Sequence, residues 1–205
     1  MLHLQPMNSE KLAQELADQG FGFDPRFIEA ELSDGLLTEA ICARENGQFK
    51  AAGIGKNSQH VSEIRRDEIL WIEPKAEFPF QNRLFDRLEI FRQDMNRKLF
   101  LGLDEFEAHF AHYDSGAFYQ KHLDRFRNDD RRALSMVIYL NRDWNESDGG
   151  LLRLYSKPNE TTVVPEAGSM ICFKSDELEH EVTLSRRPRW SVAVWFKTKS
   201  NGGVL

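Results

Sequence analysis

A mainly β fold, a double-sheet jelly roll or barrel with α-helices at its flanks, is predicted by three features of the sequence. From residue 108 onward the chain breaks into short runs rich in β-branched and aromatic residues. Clusters of turn-forming residues, "SDGG", "KPNE", "PEAG" and "SRRP", separate these runs at even spacing, the pattern of an all-β sandwich or barrel. Long helical periodicity is confined to the first hundred residues.

In chain order, Ser9 is the expected N-cap of a first helix with Leu12, Leu16 and Ala17 on one face, and Gly20 its C-cap. A second helix is expected from about Leu36 to Glu45, broken by "NGQF". The longest pattern, "NRLFDRLEIFRQDMNRKLFLG", sets Leu84, Leu88, Phe91, Met95 and Leu99 at helical spacing and ends near Gly102, a core-facing stripe. Strand-like "QFKAAGI" and "EILWIE" flank the polar "GKNSQHVSEIRRD", which is long enough to be either functional or disordered. The β-rich runs follow as "HFAHY", "AFYQKHLD", "ALSMVIYL", "LLRLY", "TTVV", "SMICF", "HEVTL" and "WSVAVWF".

At 205 residues the chain suits one domain spanning 1–205. A net charge of -6 gives no broad positive field, which argues against nucleic acid or an anionic membrane as partner. The two cysteines, Cys42 and Cys172, form no CxxC pair, so neither a disulfide framework nor a thiolate zinc site is indicated. No signal-peptide pattern and no membrane-spanning run is visible, and the expected location is cytoplasmic.

The chemistry starts at "YQKHLDRF", where His122 and Asp124 stand two apart at the end of a strand and therefore share a face. His180 begins another short strand. Two histidines and a carboxylate on a β scaffold make the facial triad that holds Fe(II) with coordination positions left open. Nine residues on, Arg189 opens the last strand. A hairpin centred between Leu184 and Ser185 would set His180 directly opposite Arg189, although Pro188 argues against an unbroken ladder. A guanidinium buried beside a metal needs an anion, and its fork suits a carboxylate. The anion that chelates iron at one end and carries a carboxylate at the other is 2-oxoglutarate. Tyr139 reads equally well as a second donor to that carboxylate or as a cross-strand core aromatic.

Taken together, "YDSGAFYQKHLD", "YLNRDW", "GGLLR", "HEV" and "RWSVAVW" stand in order around these residues. This run closely resembles the catalytic domain of the 2-oxoglutarate-dependent prolyl 4-hydroxylases, particularly those acting on hypoxia-inducible factor. Upstream, "HVSEIRRDEILWIE" resembles their substrate loop, so the likeness covers roughly residues 50 to 197. It implies a double-stranded β-helix core of the jelly-roll, cupin-like kind over 106–198. Helices and outer strands would occupy 1–105, with a substrate loop near 53–68. It further implies that His122, Asp124 and His180 bind Fe(II), and that Arg189 and Tyr139 hold the distal carboxylate of 2-oxoglutarate. Tyr113, Tyr119 and Trp195 would line the pocket, and Arg65 and Asp67 would order the loop over substrate. The family threonine on the last core strand is Ala193 here, which removes a hydroxyl contact.

The implied reaction consumes O2 and 2-oxoglutarate, releases succinate and CO2 and hydroxylates a proline at its trans-4 position, with ascorbate as reductant. The expected substrate is a proline-containing loop of a cytosolic protein. The short architecture looks like the bacterial branch of the family, for which elongation factor Tu is the implied target, and an oxygen-sensing role goes with the same resemblance. Two other readings compete with this one. A nucleic-acid demethylase of the same superfamily would carry a second arginine six residues after the first, where this chain has Trp195. A catalytically silent metal-binding jelly roll would have no reason to keep the whole triad and Arg189.

Overall fold

The computed structural model describes residues 7–53, 63–124, 131–156 and 158–199. Two antiparallel sheets and three α-helices are present among them. The helices are α1 (Ser9–Gln19), α2 (Ala30–Glu45) and α3 (Pro79–Leu99). The strands are β1 (Phe21–Asp24), β2 (Lys50–Ala51), β3 (Asp67–Ile72), β4 (Leu103–Tyr113), β5 (Tyr119–His122) and β6 (Arg132–Tyr139). They continue with β7 (Leu152–Leu154), β8 (Thr161–Val163), β9 (Met170–Lys174), β10 (His180–Val182) and β11 (Arg189–Thr198). The major sheet runs β1-β9-β6-β11-β4-β3-β2, and the minor sheet β5-β10-β7-β8. This is the mainly β, double-sheet jelly-roll class with flanking helices.

Side-chain alternation along the major sheet builds two cores from single strands. Phe110, Met136, Val192 and Val194 point to the helices, where they meet Leu12, Leu36, Leu88 and Phe91. Ala111, Tyr139 and Ile171 point the other way, toward Leu152, Leu154 and Val182 of the minor sheet. The apolar stripe predicted for the longest helix is a core face: Leu84, Leu88, Phe91 and Met95 are fully buried and Leu99 packs at the edge.

The helix ends differ from the sequence expectation in three places. Asn8, not Ser9, caps α1, its side-chain oxygen accepting from the Lys11 N–H at 3.1 Å; Gly20 closes the helix in the left-handed region as expected. α2 starts at Ala30 rather than Leu36 and runs through Gly35, which reads as a breaker. The glycine is needed there, because a Cβ would lie 2.2 Å from the Phe80 ring of α3. α3 begins with Pro79 at its first turn and ends at Leu99, with Phe100 in the left-handed conformation before Gly102 is reached. β1 escaped the sequence reading, being a four-residue strand with a glycine inside it.

The anticipated hairpin between β10 and β11 is not formed. β10 pairs with β5 and β7, whereas β11 pairs with β4 and β6. Residues 183–188 carry the chain from one sheet to the other, and Pro188, which has no N–H to donate, stands at the crossing. His180 and Arg189 therefore approach one cavity from opposite sheets.

The crossing is tied down by Gly149 and Gly150, both with positive φ. The Gly150 N–H donates to the Leu184 carbonyl at 3.1 Å. A Cβ on Gly149 would stand 2.1 Å from that same carbonyl oxygen. Gly149→Ala is accordingly expected to destabilise the protein by at least about 2 kcal/mol, combining left-handed strain with a backbone clash. Chemical denaturation checks this, and an unchanged midpoint would contradict it.

Candidate active site

The two histidines of the triad meet because of register. His180 on β10 is paired directly with His122 on β5, and Asp124 follows just past the end of β5. One ligand atom from each of the three lies within 4.8 Å of the other two. The Nε2 atoms of His122 and His180 are each 3.6 Å from a different oxygen of Asp124. The Nδ1 atom of His122 donates to the Gln120 carbonyl at 2.7 Å and that of His180 to the Leu178 carbonyl at 3.2 Å. These bonds select the tautomer that turns both Nε2 lone pairs inward. Tyr119 stacks on His122 with centroids 3.5 Å apart, and Phe173 packs on His180 at 4.6 Å.

Protonation suits a cation. Burial lowers His180 to about 4, outweighing the pull of Asp124. Burial would raise the Asp124 carboxyl, but the adjacent imidazoles outweigh it and hold the group far below the ordinary carboxylate range. Two imidazoles and a carboxylate facing one point form a donor set for Fe(II) or a similar divalent metal.

Three rows of side chains cross the major sheet on the cavity side, set by the pairing of β3, β4 and β11: Asp67, Tyr113, Arg189; then Ile69, Ala111, Ser191; then Trp71, His109, Ala193. The first row is the closed end. Arg189 is 1 % exposed there. Its Nε donates to the Gly150 carbonyl at 2.8 Å and its Nη1 to the Ser191 hydroxyl at 3.1 Å. Among the described residues neither its Nη2 nor the buried Tyr139 hydroxyl has a hydrogen-bond partner. The Arg189 guanidinium carbon lies 5.0 Å from the Tyr113 ring centre and 5.3 Å from that of Tyr139. A guanidinium buried without a carboxylate, beside an unpaired phenol, is costly unless an anion completes it. The residues present therefore fit a small dicarboxylate reaching from this end to the triad. Burial raises the Tyr113 and Tyr139 phenols, so both stay protonated as donors.

Arg65 and Asp67 are not solvated loop charges. Arg65 forks onto the carboxylate of the buried Asp67 at 2.7 and 2.6 Å. It also stacks over Tyr119 at 4.2 Å and donates to the Gly53 carbonyl at 3.3 Å. The guanidinium, the Tyr119 ring and His122 thus form one column leading to the triad. Most of the polar segment expected to form a substrate loop, residues 54–62, lies outside the described residues. Trp195 lines the cavity under Arg132, whose guanidinium carbon is 4.0 Å from its ring centre. Trp71, 50 % exposed, marks the mouth.

Sequence reasoning missed Ser191 and His109. Ser191 shares a strand face with Arg189 two residues away, a signal that was available once the strand was assigned. His109 is 4 % exposed, sits between Trp71 and Trp195 at 5.0 Å from each ring, and is lowered to about 4, first by burial. In the unfolded chain such a ring protonates near pH 6.5. Stability of the metal-free protein should hold above that pH and fall as pH drops from about 6.5 to about 4, where the native ring protonates too. The loss is roughly 3 kcal/mol. His109→Phe should flatten this part of a stability-against-pH curve, and an unaltered slope would contradict the assignment.

A family model described as the 2OG-Fe(II) oxygenase superfamily matches residues 108–197, the span carrying the triad, Arg189 and the cavity lining from His109 onward. Prolyl hydroxylase EGLN3 from Homo sapiens is 28% identical over 213 residues, covering 95% of this chain and 87% of the relative. The crystal structure of a Pseudomonas putida prolyl-4-hydroxylase superposes with a TM-score of 0.87 at 37% identity, covering 94% of this chain and 100% of that one. A Trichoplax adhaerens prolyl hydroxylase, solved with a hypoxia inducible factor peptide, shares the fold with a TM-score of 0.86 at 23% identity, over 92% of this chain and 88% of that one. Fe(II) and 2-oxoglutarate, with O2 as cosubstrate, are what this family's chemistry requires. With its donor set, its buried guanidinium and its relatives in agreement, the chain belongs to the 2OG-Fe(II) oxygenase superfamily, among the prolyl hydroxylases.

Proposed function

We propose that this protein hydroxylates a prolyl residue, at the trans-4 position, in a loop of a cytosolic protein, consuming 2-oxoglutarate and O2 and releasing succinate and CO2. One observation carries the reading: a His-Asp-His donor set and a buried arginine short of one partner face a single cavity. The likeness to prolyl hydroxylases supports proline as the target, and 37% identity to a Pseudomonas putida prolyl-4-hydroxylase supports the bacterial branch. On that ground elongation factor Tu is the proposed substrate.

In this reading His122, Asp124 and His180 hold Fe(II). The metal supplies O2 activation coupled to decarboxylation of the 2-oxo acid. The chain's own residues do the placing. Arg189 Nη2 and the Tyr139 hydroxyl donate to the distal carboxylate, which fixes the cosubstrate's length direction in the cavity. Ile69, Ala111, Leu152 and Val182 wall the space between the two ends with apolar surface and exclude water from the reacting centre. Tyr113 and Tyr119 close the sides. The Arg65–Asp67 pair anchors the start of β3 against Tyr119 and so fixes the His122 ring from behind. Ascorbate would be the reductant that keeps the metal held by the triad ferrous; undiminished turnover over many cycles without it would remove it from the scheme.

The direct test incubates purified elongation factor Tu with the protein, Fe(II), 2-oxoglutarate and air, then maps peptide masses. Gain of one oxygen at a proline, with one succinate formed per event, is expected. Oxygen on prolines of other proteins but never on this factor would reject the target alone.

A further inference from the structure

Beyond the triad and the Arg189–Tyr139 end, two more buried polar atoms of the cavity wall lack a partner among the described residues: His109 Nδ1 and Trp195 Nε1. Their rings stand 5.0 Å apart. They belong to the mouth side. His109 occupies the third row beside the half-exposed Trp71, two rows away from Arg189. It is also paired directly with Ala193, whose side chain is only a methyl. Directly paired residues on one sheet face have Cβ atoms about 5 Å apart, so the imidazole stands over the space that a methyl leaves open.

Two constraints identify what this pair receives. An indole N–H can only donate, so a ligand atom shared by the two must be an acceptor. Burial keeps the His109 ring uncharged at neutral pH, and two neutral donors match a neutral oxygen better than a carboxylate. The cosubstrate's carboxylate already has its partners at the closed end. What enters from the mouth is polypeptide, and a proline has no N–H to offer, leaving the carbonyls on either side of it.

We infer that His109 Nδ1–H and Trp195 Nε1–H together receive a main-chain carbonyl flanking the target proline, which makes His109 a substrate-positioning residue. This rests on the prolyl hydroxylase reading above. Trp71, at the edge of the same row, then offers its ring to the pyrrolidine.

The test uses the full chain with Fe(II), 2-oxoglutarate and a dilution series of bacterial cytosolic extract as the substrate probe, reading proline-bound oxygen by mass spectrometry. His109→Phe keeps an aromatic ring and removes the donor. It should raise the extract concentration for half-maximal proline oxidation about 5- to 10-fold, the effect of losing one buried hydrogen bond. The visible band of the anaerobic Fe(II)–2-oxoglutarate complex, titrated with cosubstrate, should not move. His109→Asn, which restores an N–H donor, should recover most of the loss. Trp195→Phe, which drops only the indole N–H, should reproduce the shift and serves in place of His109→Phe if that variant does not unfold cooperatively. Wild-type half-saturation in both donor-deleted variants would overturn the inference, as would a shifted cosubstrate titration with unchanged extract dependence. Absence of proline oxidation by the wild-type protein itself would instead bring down the reading on which the inference stands.

Discussion

Asp124→Ala is expected to abolish metal binding and turnover together. Asp124 is the only anionic member of the donor set, and each of its oxygens faces one histidine Nε2 at 3.6 Å. Removing it leaves two neutral imidazoles. Loss of an outer-shell partner alone commonly lowers metal affinity 10- to 100-fold, and loss of a charged ligand should exceed that, giving a fall of at least about 100-fold. Anaerobic equilibrium dialysis with Fe(II), run beside succinate release, checks both halves. A variant with full activity would overturn the site.

Arg189→Lys should act on the cosubstrate instead of the metal. The guanidinium uses Nε and Nη1 to fix itself on Gly150 and Ser191, which leaves Nη2, like the Tyr139 hydroxyl, without a partner among the described residues. An ammonium on its unbranched stem cannot span these positions as the planar fork does. Breaking a buried charged contact of this kind costs about 2 kcal/mol or more, so the 2-oxoglutarate requirement should rise roughly 30-fold. Fe(II) affinity should hold, and activity should return in large part at saturating cosubstrate. A variant whose defect lies wholly in kcat would contradict the assigned position.

The candidate ligands were legible because His-x-Asp near a strand end and a histidine opening a strand are local patterns, whereas their convergence comes from the pairing of His180 with His122, which no local pattern shows. The run of β elements after residue 108 was legible for the same reason. What escaped depended on partners distant in sequence. The proposed hairpin treated β10 and β11 as neighbours because they are consecutive, whereas each found its partners in a different sheet. β1 is held by pairing to β9, about 150 residues away, and four residues with a central glycine carry little signal of that. The start of α2 was placed six residues late, because the place of Gly35 inside the helix depends on the Phe80 ring packed against it. His109 lies in "HFAHY" on the same strand face as Tyr113, four residues on, whereas His112 faces away from the cavity; alternation separates the two, but only the register with Trp71 and Ala193 shows what His109 stands beside.

The same register logic explains why Arg65 and Asp67 look like solvated loop charges in the sequence and form a buried pair in the fold. The Asp67 side chain is brought beside Tyr113 by the β3–β4 ladder, and Arg65 bridges to Tyr119. No helix among the described residues is long and apolar enough to cross a membrane.

The central claim, an iron-dependent oxygenase acting on proline, is tested most directly by comparing peptide masses in cytosolic extract. Parallel samples receive Fe(II), 2-oxoglutarate and either the intact protein or its Asp124→Ala variant. The expected result is one added oxygen on a prolyl residue, present only with the intact protein and accompanied by succinate. Oxygen on residues other than proline, or no added oxygen with succinate absent, would contradict it.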